Sequence, residues 1–308
     1  MLRYTLRRIA LLVPVLVGVS LASFLLLHLI PGDPAVILAG ENATPGQLAA
    51  IRSEFGLNAP LGAQYVRYLG RAAQGDLGIS MQTRAPITQT LLARMRFTVQ
   101  LTLWSLALAV AAGITVGVLA ATHHNSWLDG GLMIVALIGL SMPSFWLGLL
   151  LLLVFAGMLH WLPSGGSGGW QYLILPAVVL GMSGAPVVAR LVRASMLEVI
   201  RQDYIRALRA HGVPERRVIY RHALRNALNP VVTVVGLQFG FLMAGAVIVE
   251  TVFSLPGIGR LMVTAIFSRD YPVIQGGMLM IAVAFVAANL VIDLAYAWIN
   301  PRLRYERA

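Results

Sequence analysis

Residues 98–121 read TVQLTLWSLALAVAAGITVGVLAA, and none of them is charged. An α-helix needs about 20 apolar residues to cross a bilayer. In hydrocarbon only helices and closed barrels satisfy their own backbone polar groups. A continuous apolar run, with no alternation, selects the helix. Five further stretches repeat the pattern, at about 9–30, 132–158, 172–189, 230–252 and 276–299. The expected fold is an all-α integral membrane protein with six transmembrane helices in one domain over residues 1–308. The first stretch is too long for a signal-peptide core and lacks a small-residue cleavage site after it. Pro31-Gly32-Asp33-Pro34 ends it, because proline cannot continue a helix. The third contains Pro143, so it is open to tilt, a kink or a partly re-entrant path.

Composition agrees. The chain has 308 residues, 58% hydrophobic and 11% charged, whereas soluble domains carry about 25% charge. All 23 basic residues are arginine, and there is no cysteine. The missing lysine excludes a P-loop ATPase and a Schiff-base enzyme. The missing cysteine excludes thiolate metal sites, redox pairs and disulfides, and so says nothing about redox compartment. A net charge of +11 raises nucleic acid as a partner, and the placement of the arginines decides against it. Arg3, Arg7 and Arg8 precede the first span, nine arginines lie between Arg190 and Asn229, and Arg302, Arg304 and Arg307 close the chain. Six crossings put all three groups on one side, and positive charge marks that side as cytoplasmic. Both termini are therefore expected in the cytoplasm, with 31–97, 159–171 and 253–275 outside.

The outer 31–97 segment carries helix signals. Thr44-Pro45-Gly46-Gln47 fits a capped start for a helix ending near Gly56. A second helix, Pro60 to Gln74, places Leu61, Tyr65, Tyr68, Leu69 and Ala72 on one face, with Gly75 as its stop. Ser164 to Gly169 reads as a flexible outer loop.

In the cytoplasmic loop 190–229, Ser195 to His211 is expected as one helix. Gly212 suits the left-handed position after its end. Pro214 and Glu215 suit the first turn of a second helix running towards Asn226. Anionic lipid accounts for the arginines alone. A DNA-binding helix-turn-helix is disfavoured by membrane tethers on both sides. A short helix pair pinned to two spans also suits a docking element that passes a push into the membrane.

Other residues carry competing readings. Glu250, near the outer end of the fifth span, is either a substrate contact or an order-giving boundary residue. Asp293 is expected to pair with a loop arginine. Met142, Pro143 and Ser144 interrupt the third span, as a pathway lining or a packing kink. Gln238 and Phe239 are candidate pathway residues, or interhelical packing. His123-His124 reads as a turn; a metal there lacks ligands beyond Asp129. Gly181-Met182-Ser183-Gly184 matches the Gly-x-Ser-Gly of six-helix intramembrane serine proteases of the rhomboid type. Such a serine needs a base in reach, and no histidine follows His222. Close helix packing explains the small residues as well.

Asp203-Tyr204-Ile205-Arg206-Ala207-Leu208-Arg209-Ala210-His211-Gly212, followed by His222-Ala223-Leu224-Arg225-Asn226-Ala227, resembles the "EAA" loop of bacterial ABC importer permeases. Arg206-Ala207-Leu208 stands for the Glu-Ala-Ala triplet and Gly212 follows at family spacing, though only Ala207, Gly212 and Leu224 match residue for residue. A fuller resemblance, over nearly the whole chain, is to the permeases for dipeptides, oligopeptides, glutathione and nickel. It rests on Leu29-Ile30-Pro31-Gly32-Asp33-Pro34, Gly75-Asp76-Leu77-Gly78-Ile79-Ser80, Ser144-Phe145-Trp146-Leu147-Gly148, Leu162-Pro163, Glu250 to Arg260, Arg269 to Gln275 and Asn300-Pro301-Arg302. Leu237-Gln238-Phe239-Gly240-Phe241 and Trp170-Gln171-Tyr172 are most similar to the glutathione and dipeptide branch. The resemblance implies an inner-membrane transport subunit, not an enzyme. It implies a second homologous permease, two cytoplasmic ATPase subunits that hold ATP and magnesium, and a periplasmic or lipid-anchored substrate-binding protein. This chain would bind no cofactor and no nucleic acid. Its Asp203, Tyr204, Ala207, Gly212, Glu215, His222, Leu224, Arg225 and Asn226 would contact or shape the ATPase-coupling loop. The alternative is a secondary transporter driven by an ion gradient, which calls for intramembrane charge relays; Glu250 and Asp293 are the sequence's offerings.

Overall fold

A computed structural model describes residues 2–29, 35–36, 43–55 and 57–299, with side chains at 12–25, 29, 35–36, 43–53 and 57–292. Pro31 to Pro34, Gly56, Asn300-Pro301-Arg302, the terminal arginines and the Asp293 side chain lie outside that description. Among the described residues the structure is helical, with one isolated bridge between Ile79 and Pro86. Contacts group the chain into two compact units, 1–97 with 256–290, and 98–255 with 291–308.

The first unit begins with α1 (Leu2–Leu29), α2 (Pro45–Phe55) and α3 (Leu61–Ala73). The expected capping box starts α2: the Thr44 N–H donates to Gln47 Oε1 at 2.8 Å, and the Gln47 N–H donates back to Thr44 Oγ1 at 3.4 Å. In α3, Tyr65 and Tyr68 turn inward, their rings 5.4 and 5.9 Å from Phe24 of α1. Leu61 does not join them and is 54% exposed. Its expected place is taken by buried Gln64, whose amide donates to the Leu57 and Ala59 carbonyls at 3.1 and 2.9 Å. Gly75 stops the helix at φ +79°. The start of α4 (Ile87–Thr122), α11 (Ile258–Phe267) and residues 271–290 of α12 (Tyr271–Ile299) complete the unit. They share a core of Ile87, Leu91, Ile258, Ala265, Val273 and Ile274. Asp270, 3% exposed, accepts from Ser80 Oγ at 2.5 Å and from the Met81 N–H at 3.2 Å. Two of the motifs quoted above, around Ser80 and around Asp270, are thereby tied by one buried carboxylate.

The second unit holds the rest of α4, then α5 (Trp127–Ser141), α6 (Ser144–Leu151, continuing as the wide π-turns of Leu152–Met158), α7 (Gln171–Ile200) and α10 (Asn229–Val252). The third apolar stretch is a sharp break, with α5 and α6 bent by 102°. Pro143 lacks an N–H and disfavours a helical residue before it, so Met142 is extended at ψ 127°. The helix that carries the fourth apolar stretch continues beyond 189 to Ile200, because Val192, Met196 and Val199 continue its buried face. Among the described residues four helices are long and apolar enough to cross a membrane, and the bent pair makes a fifth.

Helices α4 and α7 approach closely at glycines. A β-carbon at Gly113 would lie 2.6 Å from Val188 Cβ, and one at Gly117 would lie 2.6 Å from the Ala189 carbonyl. These two are a Gly-xxx-Gly pair, which lets helix backbones meet in a membrane. The Ser-Gly-rich loop after α6 is also packed: the Gly166 N–H donates to the Phe253 carbonyl at 3.2 Å, and a β-carbon at Gly165 would collide with that carbonyl. It is seated against α10's end and is not a bare flexible linker.

Gly117→Leu is expected to destabilise the protein by about 1–3 kcal/mol or more through overpacking. Gly131→Leu, with open space around it, is expected to be near neutral. Melting in detergent, followed by size-exclusion recovery after heating, separates the two.

Candidate functional site

The connection between α7 and α10 is two short helices, α8 (Asp203–Ala210) and α9 (residues 215–227). The expected single helix from Ser195 to His211 is instead broken at Arg201-Gln202. Gln202 is extended at φ −71°, ψ 150°, and the break swings Ile205 to zero exposure. Ile205, Val218, Ile219, Ala223 and Ala227 share one core with Val188, Val192, Met196 and Val199 of α7, Val231 of α10 and Val118 and Ala121 of α4. The connection is thus fastened by apolar packing to the ends of three long helices.

The turn between α8 and α9 is the expected glycine turn. Gly212 has φ +74°. The Val213 N–H donates to the Leu208 carbonyl at 3.1 Å, and the Gly212 N–H to Arg209's at 3.0 Å. That pair of bonds is the Schellman cap. A β-carbon at Gly212 would meet nothing within 4 Å, so the glycine serves the backbone conformation and leaves open space outside it. Pro214 sits one position earlier than expected, as the extended residue before α9 at ψ 136°.

Two side-chain pairs hold the helices together. Arg209 grips Glu215 with two hydrogen bonds, 3.0 and 2.7 Å. The guanidinium holds the Glu215 carboxyl below its ordinary value. The pair's contribution is present above that ordinary value and is lost as pH falls through the lowered one. Both side chains are largely exposed, so it is worth at most about 1 kcal/mol. Across the pair, Asn226 Nδ2 donates to Tyr204 Oη at 2.7 Å, and that hydroxyl donates to the His222 carbonyl at 3.5 Å. Asp203, Ala207, Arg225 and Asn226 are exposed; His222 and Leu224 are half-buried. Sequence reasoning named Tyr204, Glu215 and Asn226 but missed Arg209 and Ile205. The signal for Arg209 was its place opposite Glu215 across the glycine turn.

The candidate pathway residues divide. Met142, Pro143 and Ser144 form the α5–α6 bend; Met142 and Pro143, with Phe145 and Trp146, line an open depression beside it. Gln238 is buried and donates to the Gly184 carbonyl at 3.3 Å. Phe239 is 9% exposed and Glu250 1%, the latter accepting from Thr98 Oγ1 at 2.5 Å. Beyond its first turn the exposed positions of α10 are Thr233, Leu237, Phe241, Ala244, Ile248 and Thr251. They recur every three or four residues and make one uncharged stripe.

Ser183 donates to the Leu180 carbonyl at 2.6 Å, while Gly181 and Gly184 pack against Ser105 and Ala109 of α4. The motif is a close-packing site. Among the described residues no cluster of three or more His, Cys, Asp or Glu side chains is arranged to hold a metal.

The model of the binding-protein-dependent transport system inner membrane component family matches residues 113–305, and that of its N-terminal region matches 1–102. The glutathione transport system permease protein GsiC of Escherichia coli (strain K12) is 45% identical over 306 residues, 99% of this chain and 100% of that protein. GsiC of Salmonella paratyphi A gives the same identity and coverage. Among solved structures, an inward-facing form of the MetNI methionine ABC transporter matches with TM-score 0.60 at 20% identity, over 69% of this chain and 97% of that one. An amino acid ABC transporter crystallised with histidines matches with TM-score 0.52 at 14% identity, over 70% and 94%. Those structures share the fold. With both family models matched in order and near-full-length identity to GsiC, the chain belongs to the binding-protein-dependent transport system inner membrane components, the membrane-embedded subunits of such transporters.

Proposed function

We propose that this chain is one permease of an ATP-driven importer that moves short peptides across the bacterial inner membrane: dipeptides, oligopeptides or glutathione. The observation that carries the proposal is the Schellman-capped helix pair 203–226, whose apolar side is packed into the ends of α4, α7 and α10 while Asp203, Ala207, Gly212 and Arg225 face outward. The 45% identity to a glutathione permease supports the cargo class. The exposed rim is the docking surface for a cytoplasmic ATPase. Two such ATPases hold ATP and magnesium; this chain has no lysine with which to build a P-loop. A second, homologous permease and an external or lipid-anchored binding protein complete the complex. Six spans, with α1 as the first, put both termini and the loop in the cytoplasm and the 31–97, 159–171 and 253–275 segments outside.

Closure of the ATPases displaces the loop, and the shared core passes that displacement to α7 and α10. The importing state is then set by whichever conformation the nucleotide binds better. The uncharged stripe of α10 faces the second permease and the pathway between them. A lining without charge does not read the cargo's charge, which leaves selection to the binding protein.

Purification of the chain from native membranes in mild detergent is expected to bring down a second permease and P-loop ATPases. Repeated recovery of the chain alone, under conditions that keep a known importer intact, points instead to an ion-driven transporter, and so does uptake that survives ATP depletion. Gly212→Trp, whose ring projects into the open space around Gly212, is expected to keep insertion and ATP hydrolysis but lose uptake; normal uptake overturns the docking role. Phe239→Ala is expected to cost about 3 kcal/mol of stability by opening a cavity. Phe241→Ala on the exposed stripe is expected to leave melting unchanged and alter uptake.

A further inference from the structure

A second set of charges lies outside the loop. Asp129 in the first turn of α5 is 4% exposed. Arg193 of α7 meets it as a fork, Nε to Oδ1 and Nη2 to Oδ2, both at 2.7 Å. The Asn125 N–H adds a bond to Oδ2 at 3.1 Å, and His124 Nδ1 stands 3.3 Å from the same oxygen. Ser126 caps the helix by accepting from the Asp129 N–H at 3.3 Å. A bidentate guanidinium–carboxylate pair fixes direction as well as distance. The start of α5 is thereby locked to α7 next to Val192 and Met196, the residues on which the 203–226 loop is packed.

The rest of α5 is free of such ties. At its far end the chain breaks by 102° at Met142-Pro143. Along its middle runs an apolar groove of about 170 Å³, open on one side and walled by Ala112 and Gly113 of α4, Ala136 and Gly139 of α5, and Ala185 and Ala189 of α7. One end pinned, one end bent and an open groove alongside make a lever. Packed helices otherwise resist such motion, because interiors are close-packed.

We propose that Asp129 and Arg193 are positioning residues for transport: they carry a displacement of the loop and α7 into α5, which swings along its flanking groove and changes the bend at Pro143. The inference rests on the importer reading given above. Its step is mechanical, since the pair holds its charges throughout and touches neither nucleotide nor cargo.

The natural absence of cysteine makes the test direct. Spin labels at Leu103→Cys with Ile134→Cys report α5 against α4; labels at Leu103→Cys with Arg206→Cys report the loop. Distances are measured in the full complex in proteoliposomes, with and without magnesium ATP and vanadate. In the otherwise unaltered chain both pairs are expected to shift on nucleotide trapping by roughly 2 Å or more. With Asp129→Asn the loop pair is expected to shift as before, while the α5 shift is lost. Arg193→Lys, which keeps the charge and loses the fork, is expected to reduce the α5 shift, and Asp129→Arg with Arg193→Asp to restore part of it. The swap's rescue separates transmission from mere structural damage. An α5 shift that persists in both Asp129→Asn and Arg193→Lys overturns the proposal and leaves the importer reading standing. A loop pair that never responds to nucleotide overturns both.

Discussion

The burial of Ile205 and its neighbours against α7 and α10 is the constraint on which the rest depends. A connection bearing six arginines between Asp203 and Asn226 has every electrostatic reason to stay solvated. It is ordered because its few apolar residues are placed to continue the buried faces of the long helices. Val192, Met196 and Val199 extend α7 beyond the apolar run, and Ile205, Val218 and Ala223 close over them. The same two helices thus carry an exposed rim and a core-facing underside. The charges provide the rim, and the apolar side provides the stiffness.

The apolar stretches behave by a different rule. Hydrocarbon offers no hydrophobic drive for helix to meet helix, so contact comes from close approach and from polar glue. Gly113 and Gly117 admit Val188 and the Ala189 carbonyl, and Gly181 admits the Ser105 carbonyl. Thr98 and Gln238 add hydrogen bonds to Glu250 and to the Gly184 carbonyl. The buried acidic groups with shown partners, Asp129, Glu250 and Asp270, each accept hydrogen bonds within the chain. A carboxylate used this way ties its neighbours together.

The sequence by itself determined the class of the protein. Apolar runs of span length, an arginine-only basic set and the absence of cysteine left only a membrane helix bundle with no lysine or thiolate chemistry. Local signals with local causes were legible too. Gly212 stands at positive φ because a Schellman cap needs it, Thr44 and Gln47 cap α2, and Gly75 ends α3. The Gly113 and Gly117 spacing of α4 is local as well, and its packing meaning follows from the spacing alone.

Tertiary structure decided what one-dimensional spacing cannot hold. The broken Ser195–His211 helix, the extension of α7 to Ile200 and the turning outward of Leu61 each followed from which side of a helix found a neighbour. That depends on residues far away in sequence, such as Val118 for the loop and Phe24 for α3. It also decided which way the residues of α10 point: Gln238 and Phe239 lie inward, and Leu237 and Phe241, one residue before and two after them, lie outward. A helix turns by about 100° per residue. A sequence therefore shows that a helix has an apolar face and a partner, and only packing decides which face the partner takes.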